Sequence, residues 1–356
     1  MARVAVAMSG GVDSSVAAAL LQREGHEVLG FTLRLGSPDG DWEATKACCG
    51  LGEVHDARRC ADRLDVPHYV LNHGAAFERS VIDDFLDEYA AGRTPNPCVR
   101  CNQYIKFAVF LDQARALGCE AVATGHYARL DQASDGRWRL RRGVDPHKDQ
   151  SYVLHTLTQE QLAATRLPLG SLTKPEVRVI AAELGLPTAH KGDSQEICFV
   201  DGDYGEFVAQ RRPEAARPGP ILSADGTRLG THRGLAHYTI GQRRGLGLST
   251  AEPLFVTELR AADNAVVVAG AEAAGRSEFE VDALNWLSVA PLGEGVSMDA
   301  EVQVRYRMMA VPGSVTALAG FRARVSLAQP VRGVAPGQSA VAYDAEGHVL
   351  AGGTIA

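Results

Sequence analysis

Two well-known phosphate-binding signatures are missing from these 356 residues. No Gly-Lys-Ser or Gly-Lys-Thr occurs, which excludes the P-loop, whose lysine reaches the β- and γ-phosphates. No Gly-x-Gly-x-x-Gly occurs either, which excludes the dinucleotide fingerprint. No apolar run approaches the length of a membrane span, so no membrane partner is expected. The first residues lack a signal-peptide layout, because polar loop residues follow Met8 at once. The expected location is the cytoplasm. Cysteine is sparse: Cys48, Cys49, Cys60, Cys98, Cys101, Cys119 and Cys198 are the seven. In a cytosolic chain these do not read as a disulfide framework. Most are expected to be buried small hydrophobes, with one or two reactive. Internal repeats and low-complexity tracts are also absent.

What is present is enough for more than one core. The length exceeds what a single core usually holds, so two or three domains are expected. The hydrophobic fraction of 46% supplies them. The formal charge of −7 argues only weakly against a nucleic acid, because the basic residues are clustered. Residues 129–148 hold Arg129, Arg137, Arg139, Arg141, Arg142 and Lys148 against Asp131, Asp135 and Asp145. Residues 228–244 hold four Arg and no acid, and residues 302–338 five Arg and no acid.

The most telling stretch is Arg3 to Ser15. Val4 to Met8 reads as a buried strand that stops at a glycine pair. Ser9, Gly10 and Gly11 form a tight turn, and Asp13 or Ser14 is placed to cap a helix running to about Glu24. Strand, glycine turn and helix N-terminus together aim backbone N–H groups at one spot, where the helix dipole favours an anion. Further strands are expected at Glu27–Leu35, Pro67–Leu71 and Glu120–Thr124. Helices are expected at Glu53–Leu64, Ala76–Ala91 and Tyr104–Leu117, with residues 92–103 as a loop. Such alternation implies a mainly parallel sheet, with ligands beyond the carboxyl ends of its strands. The Ser9 loop, Leu33 and Thr124-Gly125-His126 would meet there.

After Val200 the pattern changes. Residues 201–227 are rich in Gly, Pro and Asp. From about Ser277 the chain reads as short alternating strands: Val302, Val304 and Tyr306 alternate with Gln303, Arg305 and Arg307, and Phe321, Ala323 and Val325 alternate with Arg322 and Arg324. A small antiparallel barrel with a basic outer face is expected. The domains are placed at 1–200, a central mostly β unit at 201–276, and the barrel at 277–356.

Ser9-Gly-Gly-Val-Asp-Ser-Ser15 resembles the loop of the ATP pyrophosphatases, enzymes that release pyrophosphate and pass AMP to an oxygen. Several further motifs occur in order: Thr94-Pro-Asn-Pro-Cys-Val-Arg-Cys-Asn102 with Ile105-Lys-Phe107, Thr124-Gly-His-Tyr-Ala-Arg129, Lys148-Asp-Gln-Ser-Tyr152, Asp193-Ser-Gln-Glu-Ile-Cys-Phe199, Gly241-Gln-Arg-Arg-Gly-Leu-Gly247 and Arg305-Tyr-Arg307. Over nearly its whole length the chain thereby resembles the bacterial tRNA-specific 2-thiouridylases, which replace the C2 oxygen of the wobble uridine by sulfur. The resemblance implies an α/β fold of the adenine-nucleotide alpha-hydrolase type, followed by the two smaller domains.

The chemistry of that reaction fits these residue types. A uracil C2 carbonyl has no leaving group until AMP is transferred to its oxygen. The Ser9 loop would hold the departing pyrophosphate, with Mg²⁺ offsetting charge. A persulfide is a suitable cytosolic sulfur nucleophile, and a second cysteine can release the sulfur by forming a disulfide. The resemblance makes Cys101 the nucleophile and Cys198 the persulfide carrier, joined as a Cys101–Cys198 redox disulfide. It implies ATP contacts at Ala7, Met8, Ser9, Gly10, Gly11, Val12, Asp13, Ser14, Leu33 and Gly125, with Mg²⁺ near Asp13. It places the target base at Asn96, Pro97 and Cys98, where some family members carry Asp in place of Cys98. It places tRNA at His126, Lys148, Asp149, Gln150, Arg305, Tyr306 and Gln338. The implied partners are the tRNAs for Lys, Glu and Gln and a sulfur-donor protein such as a cysteine desulfurase or a sulfur-relay protein. Cys101 is expected in a loop just before a helix, where the dipole lowers a thiol pKa.

Taken alone, the residues leave alternatives open. Cys98-x-x-Cys101 could be half of a zinc site, but four ligands are needed and no second Cys-x-x-Cys exists. It could be a redox pair, but the thioredoxin context is lacking. Cys198 between Ile197 and Phe199 could be a buried strand residue. An amide-forming ligase on the same loop would not need paired cysteines or a basic barrel, and a non-enzymatic RNA-binding protein would not need the loop.

Overall fold

The computed structural model describes residues 1–36, 50–192, 197–200 and 202–356. The chain starts with β1 (Arg3–Ala7), α1 (Val12–Arg23), β2 (Glu27–Arg34), α2 (Leu51–Arg63) and β3 (His68–Asn72). Residues 74–90 are helical: α3 (Gly74–Phe77), a π-helical turn (Glu78–Ile82) and α4 (Asp83–Ala90). A second helical run comprises α5 (Pro97–Arg100), a π-helical segment (Cys101–Val109) and α6 (Phe110–Ala116). Then come β4 (Ala121–Ala123), the antiparallel pair β5 (Ala128–Gln132) and β6 (Trp138–Arg142), α7 (Gln159–Ala163), β7 (Thr165–Arg166) and α8 (Lys174–Glu183). The sheet is parallel, in the order β3-β2-β1-β4-β7. Val4, Ala5 and Val6 are fully buried because β1 lies at its centre, covered on both faces. The carboxyl ends of β1, β2 and β4 therefore share one edge, as the alternation predicts.

The central unit contains α9 (Tyr204–Arg211) and a sheet of β8 (Gly219–Ser223), β9 (Arg228–His232), β10 (Phe255–Arg260) and β11 (Ala265–Ala269), ordered β10-β11-β8-β9. The last unit is a closed barrel of β12 (Gly275–Trp286), β13 (Ser297–Gln303), β14 (Val311–Leu318), β15 (Arg322–Arg332), β16 (Ser339–Tyr343) and β17 (Val349–Ile355), ordered β12-β15-β14-β13-β16-β17. Closure leaves this small sheet no free edge. Its inward residues, Val281, Val302, Val315, Val325 and Ala340 among them, form a separate core.

Two expectations need correction. The helix expected from Tyr104 begins at Pro97, because Asn96 caps it: its Oδ1 accepts the Cys98 N–H at 3.1 Å and Pro97 takes the first helical position. The strand expected through Arg307 ends at Gln303. Residues 305–308 turn instead, with Arg307 at φ 62°, so alternation there reflects a turn in contact with other domains.

The barrel is fastened to the first domain. Gln159 Nε2 donates to Trp138 O and Leu287 O, each at 2.9 Å. Asn285 Nδ2 donates to His155 O and Leu157 O. Arg142 stacks on the Tyr343 ring at 3.6 Å and donates to Asp149 and Gln303. Tyr152 Oη donates to Ser339 O at 2.7 Å, and His155 Nε2 pairs with Ser339 Oγ at 3.0 Å.

Candidate active site

The glycine loop follows β1 as expected. Gly10 has φ 71°, and a Cβ there would lie 2.3 Å from the Glu53 carbonyl oxygen of α2, so only glycine fits. The N-cap of α1 is Gly11, not Asp13 or Ser14, and no side chain caps it. Ser14 Oγ instead accepts from Ser9 N–H at 3.1 Å, while Ser14 and Ser15 hydroxyls donate to Gly11 O. The loop is thus folded by its own serines, and the first-turn N–H groups of α1 keep no side-chain acceptor. Gly125 closes against it: a Cβ would be 2.8 Å from Ser14 N and 3.0 Å from Asp13 Cβ. Leu33 is buried at the end of β2, paired in register with Leu71. Ala7, Met8, the Ser9–Ser14 loop, Leu33 and Gly125 therefore gather at one edge of the sheet.

Asp13 is the charged centre of this loop. Its Oδ1 accepts from Tyr127 Oη at 2.7 Å and from Lys174 Nζ at 2.7 Å; its Oδ2 accepts from Lys174 Nζ at 2.8 Å. Lys191 Nζ donates to Gly10 O at 3.1 Å and to Asp56 at 2.7 Å, tying the far end of the domain to the same loop. Sequence reasoning missed Tyr127, Lys174 and Lys191. A signal existed for Lys174, which opens a helix marked by the capping box Thr173–Glu176, where a cation opposes the dipole. The Asp13 oxygens face donors, which suits an anion's neighbourhood better than a metal ligand. Among the described residues no group of three or more His, Cys, Asp or Glu could hold a metal ion. The Mg²⁺ of a nucleotide needs only one or two carboxylates beside its phosphates, and at Asp13 both oxygens accept from Lys174.

The cysteines sit differently from the expectation. Cys98, exposed, occupies the first turn of α5; Cys101, buried, is a full turn further in and begins the π-helical segment. It is therefore Cys98 that lies at the helix N-terminus. Cys101 belongs to a hydrophobic cluster against which Ile197, Cys198 and Phe199 pack. Cys198 is half-buried in a turn closed by Val200 N–H to Ile197 O at 3.1 Å, rather than in a strand. Phe199 anchors this turn between Phe85 and Phe207, at centroid distances of 5.3 and 5.6 Å. Residues 193–196 of that motif, and Cys48 and Cys49, lie outside the described residues. Cys60 and Cys119 are buried.

The barrel reaches the cysteine helix directly. Gln338 Nε2 donates to Thr94 O at 2.9 Å and Pro95 O at 3.3 Å, and Thr94 N–H donates to Pro336 O at 2.8 Å. Asn96, Pro97 and Cys98 follow at once. Tyr306 lies tilted against Tyr152, with ring centroids 5.9 Å apart. Burial pushes its phenol up; Arg307 opposes the shift and nearby Cys98 adds to it. Arg305 beside it is exposed.

Other residues expected at the RNA face are engaged within the protein. Asp149 accepts from Gly143, Ser151 and Arg142. Gln150 Oε1 accepts the Tyr127 N–H at 3.1 Å. His126 is buried against Phe107 and pairs with Thr124 Oγ1 at 2.7 Å; desolvation, with Lys106 adding, holds its pKa well below the ordinary value. Lys148 is half-buried. The basic barrel face also needs correction. Arg322 pairs with Glu280 and Asp282, Arg324 with Glu278 and Glu280, and Arg332 stacks on Phe255. Those acids stand on β12, the neighbouring strand, so that face is charge-balanced. Arg129 and Arg139 likewise bond to the Arg142 carbonyl and the Asp131 carboxylate of the β5–β6 pair, Arg141 to the Glu346 carbonyl of the barrel, and Arg142 to the Asp149 carboxylate.

Comparison with known proteins agrees along the chain. The sequence profile of the tRNA methyl transferase HUP domain matches residues 2–202, that of the tRNA methyl transferase PRC-barrel domain residues 205–270, and that of the aminomethyltransferase beta-barrel domain residues 276–355. A protein of Geotalea uraniireducens (strain Rf4), named tRNA-specific 2-thiouridylase MnmA, is 48% identical over 364 aligned residues, covering 99% of this chain and 94% of its own length. The protein of the same name from Geobacter metallireducens (strain ATCC 53774 / DSM 7210 / GS-15) is 49% identical over 360, covering 99% and 96%. Among solved structures, a 4-thiouridine synthetase–RNA complex with bound ATP covers 60% of this chain and 51% of its own, at 16% identity and a TM-score of 0.35, too low to carry weight. With identity near one half over 99% of its length, this chain belongs to the family of tRNA-specific 2-thiouridylases.

Proposed function

We infer that this chain uses ATP to replace the C2 oxygen of the wobble uridine of tRNA by sulfur. The observation that carries the reading is its likeness, over 99% of the chain, to proteins named for that activity. The convergence of the Ser9 loop with Gly125, and of Thr94–Cys98 with the barrel, supports it.

In the first step the uracil C2 oxygen attacks the α-phosphorus of ATP and the bond to pyrophosphate breaks. The first-turn N–H groups of α1 are the donors for the departing charge. Mg²⁺ enters this proposal only as the nucleotide's own counter-ion. In the second step the terminal sulfur of a persulfide on Cys198 attacks C2, and AMP leaves with the former C2 oxygen. The Cys101 thiolate then attacks the Cys198 sulfur. A Cys101–Cys198 disulfide forms, and the transferred sulfur stays on C2. An external dithiol restores the thiols, and a sulfur-donor protein, a cysteine desulfurase or a sulfur-relay protein, reloads Cys198. Asn96, Pro97 and Cys98 form the rim beside the base. Lys148 and Arg305 supply phosphate contacts, with His126, Asp149, Gln150, Tyr306 and Gln338 shaping the RNA-facing surface. The tRNAs for Lys, Glu and Gln are the substrates, and the cytoplasm is the location; among the described residues no helix is long and apolar enough to cross a membrane.

Incubating unmodified tRNA with the protein, Mg-ATP and a persulfide donor tests this. The expected result is a mass gain in one anticodon nucleoside matching oxygen-to-sulfur exchange. Pyrophosphate release without any mass gain in tRNA would overturn it.

A further inference from the structure

Two arginines, Arg243 and Arg244, stand side by side in the loop 241–247 of the central unit. Both are exposed, and neither has an acidic partner among the described residues. The loop around them is firmly held. Gln242 Oε1 accepts the Thr239 N–H at 3.0 Å, and its Nε2 donates to Arg244 O at 2.9 Å. Gly241 N–H donates to Val256 O and Val256 N–H to Gln242 O, which pins the first half of the loop to β10. Leu246, 6% exposed, anchors the second half in the core of the central unit. The backbone is therefore fixed on both sides of two side chains that reach into solvent. The loop also meets the barrel unit. A Cβ on Gly241 (φ 85°) would lie 2.9 Å from Gly333 Cα, so the two backbones touch only because Gly241 has none. Ala335, two residues beyond Gly333, is buried in the same central core. Arg305 Nη1 lies 3.9 Å from where a Cβ on Gly333 would sit. Arg305 is exposed and likewise has no acidic partner among the described residues. Tyr306 beside it lies near Cys98. Three unanswered arginines from two units thus adjoin one seam, and that seam leads to the cysteine helix.

We propose that Arg243 and Arg244 of the central unit, together with Arg305 of the barrel, clamp the sugar-phosphate backbone of the anticodon arm of tRNA across this seam. The proposal rests on the reading of the chain as a tRNA-thiolating enzyme. A uridine held at the Cys98 rim carries its neighbouring phosphates past Tyr306 and Arg305, and the loop 241–247 continues the cationic surface from there. Arginine suits this role, because its planar fork matches two phosphate oxygens at once. Contacts to the backbone alone fix register and orientation without reading sequence. A rigid loop serves that purpose better than a mobile tail, since less order is lost when RNA binds.

The test is the salt dependence of binding to the full chain, measured with unmodified tRNA and with an isolated anticodon stem–loop RNA. Arg243→Gln/Arg244→Gln should weaken both RNAs about tenfold or more, the size of lost charge-assisted hydrogen bonds. It should also lower the slope of log affinity against log salt by about two. Arg243→Lys/Arg244→Lys keeps the charge and should keep the slope. Arg322→Ala/Arg324→Ala removes the same formal charge from the acid-matched barrel face and should leave the slope unchanged; an equal fall there would make net charge the cause and overturn the proposal. An unchanged slope in the Gln double variant overturns it, and so does a loss seen with tRNA but not with the stem–loop. Unchanged RNA binding with slower reloading of Cys198 by a sulfur-donor protein would make the loop a protein-docking surface, and overturns it too. Failure of the unaltered chain to bind tRNA at all would overturn the reading beneath it as well.

Discussion

At the Ser9 loop, Lys174 and Tyr127 converge on the single carboxylate of Asp13, whereas along β15 Arg322 and Arg324 are answered by Glu278, Glu280 and Asp282 of β12. Both regions look charged in the sequence. In the first, the charge is concentrated on a loop whose backbone is fixed by steric contacts, at Gly10 and Gly125. In the second, it is spread over exposed pairs, each worth little in water. Clustered basic residues are therefore evidence for a polyanion only where the fold leaves them without acids. In this chain that condition holds for Arg243 and Arg244, which are exposed and have no acidic partner among the described residues, but not for Arg322 or Arg324.

The comparison breaks most visibly at Gly125. Gly125→Val should reduce tRNA-dependent pyrophosphate release about a hundredfold, because its side chain pushes the first turn of α1 off its position. Retained release in a folded variant would show that the loop tolerates displacement. Next in size is acid. His155, buried between the first domain and the barrel, has its pKa pushed down to about 4 by burial. The unfolded chain protonates near the ordinary value of about 6.5, so the stability is intact above that pH and is lost progressively down to about pH 4. His126, lowered for the same first reason, acts in the same sense. Unfolding free energies from denaturant titrations at pH 7 and pH 4.5 should differ by up to about 3 kcal/mol from His155 alone; equal values would contradict its burial as a neutral ring.

Gln338→Ala comes third. It removes both hydrogen bonds to Thr94 and Pro95, about 1 kcal/mol of net stability. Sulfur transfer should slow more than tRNA binding weakens, since what loosens is the approach to Cys98 and Cys101. The smallest effect sharpens the comparison best. Arg305→Ala should lower the salt slope of tRNA binding by about one. Arg322→Ala and Arg324→Ala should leave that slope unchanged, because their charges are already matched. An equal loss in all three would restore the barrel face as an RNA surface.

The nucleotide loop was legible in the sequence because its determinants are contiguous: a strand, two glycines and a helix start within a dozen residues. So was the alternation that places Leu33 and Gly125 at the same edge. The start of the cysteine helix was readable but misjudged. Asn96-Pro97 is an N-cap signature, and its effect is to move Cys101 from a loop into a buried turn. The Lys174–Asp13 and Gln338–Thr94 contacts were not legible. They join residues far apart in the chain, and neither partner has a local pattern that names the other. The charge balance of β12 and β15 was hidden for the same reason: strand neighbours are set by barrel closure, and Glu278 and Arg324 are separated by a long stretch of sequence.

The central claim is that adenylation and sulfur transfer are separate steps run by separate parts of one chain. It is tested most directly by following pyrophosphate and thiolated tRNA together in Cys198→Ser, with ATP, tRNA and a persulfide donor. The account predicts pyrophosphate release dependent on tRNA and no thiolated product, with the same outcome for Cys101→Ser and retained transfer in Cys98→Ser. Normal thiolation by Cys198→Ser, or loss of pyrophosphate release along with thiolation in a folded variant, would contradict it.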